Sequence, residues 1–290
     1  MFPLCLLFEI TAVRMEQTWG GRLNRRATGV NETIQTMLRR RSVRAYEDRP
    51  VPEEVRQTIL QATLRAPTAG NLMLYTVIEV SDQALKNQLA VTCDNQPFIA
   101  KAPWVLLFLA DYQRWQDYFT LCGVEEFARR QALPLRRPQE GDLMLACDDA
   151  IIAAQTAVLA AEALGLGSCY IGDIMENYEI HRELFKLPPY VFPACLVCFG
   201  YPTPQQAERP QPERFEQRFI VYENEYKRLG ADEFNSMFQH QQARAFKDKT
   251  EIKGAVNIGQ LTYRAKFAAD FSLEMNRSVR EMLKNWESGA

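Results

Sequence analysis

From Asn31 onward the apolar positions of the chain alternate between helical and strand-like spacing. Asn31 can cap a helix that places Ile34, Met37 and Leu38 on one face, and Pro52 with Glu53 and Glu54 opens a second carrying Val55, Ile59 and Leu60. Ala66 to Asn71 is rich in turn formers. It leads into a β-branched strand, Tyr75 to Val80. Asp82 to Val91 predicts a helix, and Pro103 to Ala110 a strand buried on both faces. The stretch Asp142 to Leu164 carries a helix former at almost every position and would run about 34 Å as one helix. It is apolar nearly all round, through Leu143, Leu145, Ile151, Ile152, Val158 and Leu159, which predicts burial on two sides, by its own sheet and by a surface such as a partner subunit. Gly165 ends it. A strand (Ser168 to Gly172), a helix (Tyr178 to Phe185) and another apolar strand (Val191 to Phe199) follow.

This alternation describes one α+β domain over residues 31–230. Residues 1–30 show no periodic pattern and are read as an N-terminal extension of uncertain status. The polar, proline-rich segment Pro202 to Pro212 is expected to leave the body, and residues 231–290 form a helical C-terminal extension, with Leu273, Met275, Val279, Met282 and Leu283 at helix spacing. At 47% hydrophobic residues in 290, the chain can bury an extensive core.

A net charge of -2 gives no overall pull toward nucleic acid or an anionic membrane, so any anion site must be local. The seven cysteines are scattered through hydrophobic stretches, which suits reduced thiols in a cytoplasmic protein better than a disulfide framework. Cys195 and Cys198 form a CxxC, but period 2 in an apolar strand sends their sulfurs to opposite faces. With only His181 and His240 present, no histidine-rich metal site is expected, and His181, in a polar helix, is expected to be solvated. No apolar run reaches the roughly 18–20 residues of a membrane span, and Met1 to Val13 lacks the basic start and small-residue cleavage site of a signal peptide.

The densest basic cluster is Arg39, Arg40, Arg41 and Arg44 around Ser42, at the C-terminal end of the first helix. Cations there complement the helix dipole, which explains one or two of them. Four arginines within six residues repel one another, and a multiply charged anion, a phosphate above all, gives a better reason for them. The cluster lacks interleaved aromatics and a recognition-helix context, so nucleic acid is not the expected partner. Gly167 and Gly172 have P-loop spacing, but Asp173 stands where a lysine is required. Gly165 and Gly167 fail the dinucleotide fingerprint because Tyr170 replaces its third glycine. No Ser or Cys pairs with a His as an acyl-transfer site would need, which suggests that a cofactor carries the chemistry.

These residues resemble the FMN-dependent nitroreductases. The likeness rests on Arg40-Arg41-Ser42-Val43-Arg44-Ala45-Tyr46, Ala66-Pro67-Thr68-Ala69-Gly70-Asn71, Asn95-Gln96, Gly165-Leu166-Gly167 through Tyr170-Ile171-Gly172, and the late Arg214, in that order over about residues 31–229. It implies a nitroreductase-like fold, a mixed and mainly antiparallel sheet flanked by helices, in an intertwined homodimer. By the same resemblance Arg40, Arg41, Ser42 and Arg44 would hold the phosphate and ribityl chain of FMN, with Arg214 closing over the phosphate. Gln96, with Asn95, would meet the polar edge of the flavin, and the backbone at Ile171 and Gly172 would face its N5 and O4. The loop carrying Pro67, Thr68 and Asn71 would reach the flavin of the other subunit. No protein residue would be catalytic in the strict sense, since hydride passes from NAD(P)H through flavin N5 to a small acceptor such as a nitroaromatic or a quinone. A specialised or oxygen-dependent reaction on the same fold and a non-catalytic FMN-binding protein are the alternatives. The chain departs from the family pattern at Met73, Tyr75 and Pro212, the last standing where relatives place a lysine in the phosphate clamp.

Overall fold

The centre of the molecule is made by its two most apolar runs. In the computed structural model, which describes residues 31–289, β2 (Trp104–Asp111) and β4 (Val191–Gly200) are buried along their whole lengths and pair antiparallel. The extension read over residues 1–30 lies outside the described residues. β1 (Tyr75–Glu79) pairs with β2 and β3 (Gly167–Ile171) with β4, giving the order β1-β2-β4-β3 with every strand pair antiparallel. A parallel contact enters through one isolated bridge, Ser42 to Ser168. Pro193 is tolerated inside β4 because it lies beside the register shift opposite Phe108 and Leu109, where the ladder is already interrupted.

Around the sheet stand α1 (Glu32–Arg39), α2 (Glu53–Thr63), α3 (Gln83–Thr92), α4 (Phe98–Lys101), α5 (Gln113–Leu121) and α6 (Val124–Gln131). They are followed by α7 (Glu140–Ala163), α8 (Tyr178–Phe185), α9 (Pro204–Glu208), α10 (Ala231–Ala245), α11 (Ile258–Thr262) and α12 (Asp270–Ser288). One sheet face packs Trp104, Leu106, Phe108, Cys195 and Val197 against Ile59 of α2 and the alanines of α7. The other packs Val105, Leu107, Leu196 and Cys198 against Leu89, Ile99 and Ile174. The two cysteines of the CxxC therefore do lie on opposite faces, and all six described cysteines are free thiols.

α7 spans the domain as its composition predicts. Its first turn is fixed by a capping box in which Asp142 accepts from the Gln139 amide at 2.9 Å, and the chain leaves its far end at Gly165 with φ of +81°. Ala146, Ala150, Ala153, Ala154, Ala157 and Ala161 are buried, small enough to bring the helix close to the sheet. The opposite stripe, Met144, Leu145, Ile151 and Ile152, remains 63, 48, 42 and 38% exposed. Contrary to the reading that no run is long enough, α7 has the length and hydropathy of a membrane span; the docking of its alanine face on the sheet accounts for that composition.

Two further expectations need correction. His181 is fully buried, because the face of α8 that carries it docks on α3 and on the turn after β3. Its Nδ1 lies 2.9 Å from the Ile174 carbonyl, which can only accept, so Nδ1 carries the proton and Nε2 accepts from the Thr92 hydroxyl at 2.8 Å. Burial lowers the pKa of the ring and favours the neutral form. The segment Pro202 to Pro212 does not leave the body: it lies along the end of α1, which has carbonyls to satisfy. At the C-terminus α12 returns to the core, where Met282 and Trp286 are buried beside Leu74, Leu143 and Tyr178, and Trp286 Nε1 donates to the Gln139 carbonyl at 3.1 Å.

Candidate functional site

The arginine cluster is shaped by a helix end and a sheet edge. Arg40 caps α1 and turns the chain into an extended conformation. Val43 then donates to the Ser168 carbonyl at 2.9 Å, which fixes residues 41–44 along the free edge of β3. Val43 is buried against Gly167, where an added Cβ would lie 2.4 Å from Val43 Cγ2. A glycine at 167 is what allows this close approach. With Val43 anchored inward, Ser42 and Arg44 flank it.

The segment after β4 is stitched over this strip. Arg41 Nη1 donates to the Ala207 carbonyl at 2.7 Å and also to that of Arg209, while Arg209 Nη2 returns to the Ser42 carbonyl at 2.9 Å. Gln211 donates to the Leu38 and Arg40 carbonyls at 2.8 and 2.9 Å, and the Arg44 amide donates to Gln206 Oε1 at 3.2 Å. Arg41 thus spends part of its guanidinium on backbone, and Arg209, which sequence reading missed, joins the cluster. Its position in an aperiodic polar segment gave no signal of the fold that brings it there.

Among the described residues the ion pairs involve none of Arg39, Arg40, Arg41, Arg44 and Arg209. Arg40 Nε is buried without a hydrogen-bond partner. Glu162, at the end of α7, feels Arg40 and Arg41, yet burial raises its carboxyl to about 7 although both arginines pull the other way. Near neutral pH the cluster therefore keeps most of its positive charge. That donor set fits a dianionic phosphate.

Farther along β3, Ile171 ends the strand and Gly172 begins a 3-10 turn, with open space where its Cβ would be. Across from it, Asp94 and Asn95 adopt left-handed conformations after α3 and present Gln96, whose Nε2 donates to the Cys93 carbonyl at 2.9 Å and to Asp173 Oδ2 at 2.8 Å. Asn95 is exposed. Arg40, Arg41, Ser42 and Arg44 thus line one end of β3, and Ile171, Gly172 and Gln96 the other.

The remaining candidates lie elsewhere. The loop with Pro67, Thr68 and Asn71 is held by the buried Asp149 of α7, which accepts from the Ala69 amide at 2.8 Å, the Leu74 amide at 3.0 Å and the Thr68 hydroxyl. Asp149 precedes Glu162 by 13 residues, or about 20 Å of helix. Arg214 is exposed, with no hydrogen bond or ion pair to the cluster. Asp149 was also missed by sequence reading; an acid pair, Asp148 and Asp149, inside an otherwise apolar helix was the available signal.

The family model described as the nitroreductase family matches residues 37–201, a stretch that includes the arginine strip, the Asp149-anchored loop, Gln96 and Gly172. The chain belongs to the nitroreductase family. Among curated members it is similar to the FMN reductase [NAD(P)H] of Bacillus subtilis, at 34% identity over 210 residues, covering 72% of this chain and 80% of that protein. The NADPH-flavin oxidoreductase of Vibrio harveyi is 32% identical over 214 residues, 74% of this chain and 82% of the relative. Of solved nitroreductase structures, the Vibrio harveyi NADPH:FMN oxidoreductase complexed with NAD+ superposes with a TM-score of 0.70 at 28% identity, covering 87% of this chain and 98% of that one. Nitroreductase A of Vibrio parahaemolyticus does so with a TM-score of 0.72 at 26% identity, over 89% of this chain and 98% of its own.

Proposed function

We propose that this nitroreductase-family protein is a cytoplasmic, homodimeric, FMN-dependent oxidoreductase that passes hydride from NAD(P)H to a small acceptor such as a nitroaromatic or a quinone. The observation that carries the reading is the arginine cluster at the edge of β3, which among the described residues is free of ion pairs and has a buried, unpartnered guanidinium nitrogen on Arg40. When bound, FMN supplies the redox chemistry, in one half-reaction with NAD(P)H and a second with the acceptor. Arg40, Arg41, Ser42 and Arg44 hold its phosphate and ribityl chain, and the exposed Arg214 closes over the phosphate. Gln96, with Asn95, meets the polar edge of the ring, and the backbone at Ile171 and Gly172 faces N5 and O4. Pro67, Thr68 and Asn71 come from the second copy, since within one copy their loop is anchored about 20 Å along α7 from the arginines. The exposed apolar stripe of α7 supports such pairing. The names of the relatives support the flavin and the nicotinamide donor.

The test is the absorbance spectrum of the purified protein reconstituted with FMN, followed by anaerobic addition of NADPH. Wild type is expected to bind the flavin and to be bleached by NADPH. Arg40→Ala is expected to lose roughly 10- to 100-fold in FMN affinity, the scale of one charge-assisted contact. Flavin occupancy unchanged in that variant would sink the reading.

A further inference from the structure

The amide of Gln96 is held in one orientation. Both hydrogen bonds of its Nε2 go to the protein, to the Cys93 carbonyl at 2.9 Å and to Asp173 Oδ2 at 2.8 Å. Two protons are all that an amide nitrogen has, so Nε2 has none left for a ligand, and Oε1 is the only end of the side chain still available. The backbone of this segment is fixed as well, the Gln96 amide donating to the Ala90 carbonyl at 2.7 Å. Asp173 is backed in turn by Glu176, which is 4% exposed, donates its own amide to the Asp173 carbonyl at 3.0 Å and shares a side-chain hydrogen bond with the Asp173 carboxylate. Burial, with Asp173, Asp94 and Glu274 nearby, raises the Glu176 carboxyl to about 8, so it is mostly protonated at neutral pH and serves as a neutral backstop to Asp173.

The polar edge of an isoalloxazine ring offers acceptors at N1, O2 and O4 and a single donor, N3–H. An amide that can only accept can meet only that donor. We propose that Asp173 is a positioning residue that locks the Gln96 amide with its nitrogen toward the protein and its oxygen toward the flavin, so that Gln96 accepts a hydrogen bond from N3–H. The inference rests on the FMN reading given above. It assigns to Asp173 a task that the phosphate-loop spacing of Gly167 and Gly172 did not suggest, since in that comparison Asp173 is merely a misplaced anion.

The experiment uses the full-length protein saturated with FMN labelled with 15N at N3, and reads the N3–H resonance and its exchange with solvent. Wild type is expected to show a protected N3–H shifted downfield from that of free FMN. Asp173→Asn retains an acceptor oxygen for Nε2 and is expected to keep the signal. Asp173→Ala and Gln96→Leu are expected to lose protection by at least tenfold. If Asp173→Ala cannot be saturated with FMN while Asp173→Asn binds as wild type does, the acceptor role stands; equal failure of both variants overturns it. Wild type that binds FMN but leaves N3–H exchanging as in free solution overturns this assignment alone. Wild type that binds no FMN overturns the functional reading and this one with it.

Discussion

Asp149→Ala is the perturbation that best separates fold from site. The carboxylate lies in the middle of α7, 2% exposed, and accepts from the Ala69 amide, the Leu74 amide and the Thr68 hydroxyl. In the alanine variant the hydroxyl can turn to another partner, but the two amides cannot move without the chain. A buried donor left unmade costs about 1–3 kcal/mol, which applies in full to the Leu74 amide and in part to the half-buried Ala69 amide, so the pair amounts to roughly 2–4 kcal/mol against a typical total stability of about 5–15 kcal/mol. The loop has its own reason to relax once released. Met73 holds a φ of 51°, and the left-handed region costs such a side chain roughly 1–2 kcal/mol, whereas Asn71, at 58°, is a residue that this region tolerates. Urea denaturation followed by tryptophan fluorescence is the assay, and Trp115 is a local reporter because its Nε1 donates to the Leu72 carbonyl at 2.9 Å. Stability should fall by at least 2 kcal/mol on that scale with an unchanged m value, and, on the proposal that the loop serves the flavin of a second copy, FMN affinity should fall with it. Asp149→Asn keeps one acceptor oxygen and should lose about half as much. A loss under about 0.5 kcal/mol in Asp149→Ala would mean that the loop is not held through these bonds.

Three further outcomes are expected. Glu162 has its carboxyl raised by burial to about 7, against about 4.3 when unfolded, so the stability it contributes is present below the unfolded value and is lost as the pH rises through about 7. Glu162→Gln should flatten that decline in urea titrations between pH 5 and 8, and an identical decline in both proteins would refute the assignment. Gly167→Ala drives a methyl into Val43; it should cost about 1–3 kcal/mol and weaken FMN binding in a fluorescence titration, because Ser42 and Arg44 move with Val43. Trp286→Ala removes a ring that is 1% exposed and packs edge-on to Tyr190 at 5.5 Å; a loss of about 3–5 kcal/mol in thermal or urea unfolding is expected, whereas a loss below 1 kcal/mol would make α12 an appendage.

The elements legible in the sequence are those whose apolar period is enforced by burial. β2 and β4 are buried along their entire lengths, and their apolar runs marked them to within a residue or two. α8 matched residue for residue because its period is interrupted by turn formers on both sides. By contrast α5 and α6 were not anticipated: Tyr118, Leu121 and Phe127 stay 54, 83 and 48% exposed, so their hydrophobic positions trace no inward face. His181 was misplaced for the converse reason. A helix with mostly polar positions can still bury one imidazole when both ring nitrogens find partners in other elements. The arginine strip was visible because like charges crowded in sequence need a common counterion. Arg209 and Asp173 were not visible in these roles, since each acts on residues more than 70 positions away and local spacing contains no record of such pairings, whereas Asp149 left a local trace, an acid pair in an apolar helix, that does not say which loop it holds.

The geometry of α7 gives the proposed pairing a further constraint. Asp149 holds the loop proposed to serve a second copy, and Glu162 marks the position along α7 of the arginines that would receive such a loop. A two-fold axis that sets Asp149 of one copy level with Glu162 of the other must cross the helix midway between them, at residues 155 and 156. The stripe of α7 that its own sheet leaves uncovered runs through this point: Ile151 and Ile152 on one side, and Gln155 itself, are exposed, while Ala153, Ala154, Ala157 and Val158 face inward. An antiparallel crossing there buries apolar surface that one copy exposes and brings both halves of the site together with the same motion. The apolar excess that gives α7 the composition of a membrane span is then explained on both faces, one by the sheet and the other by the second copy.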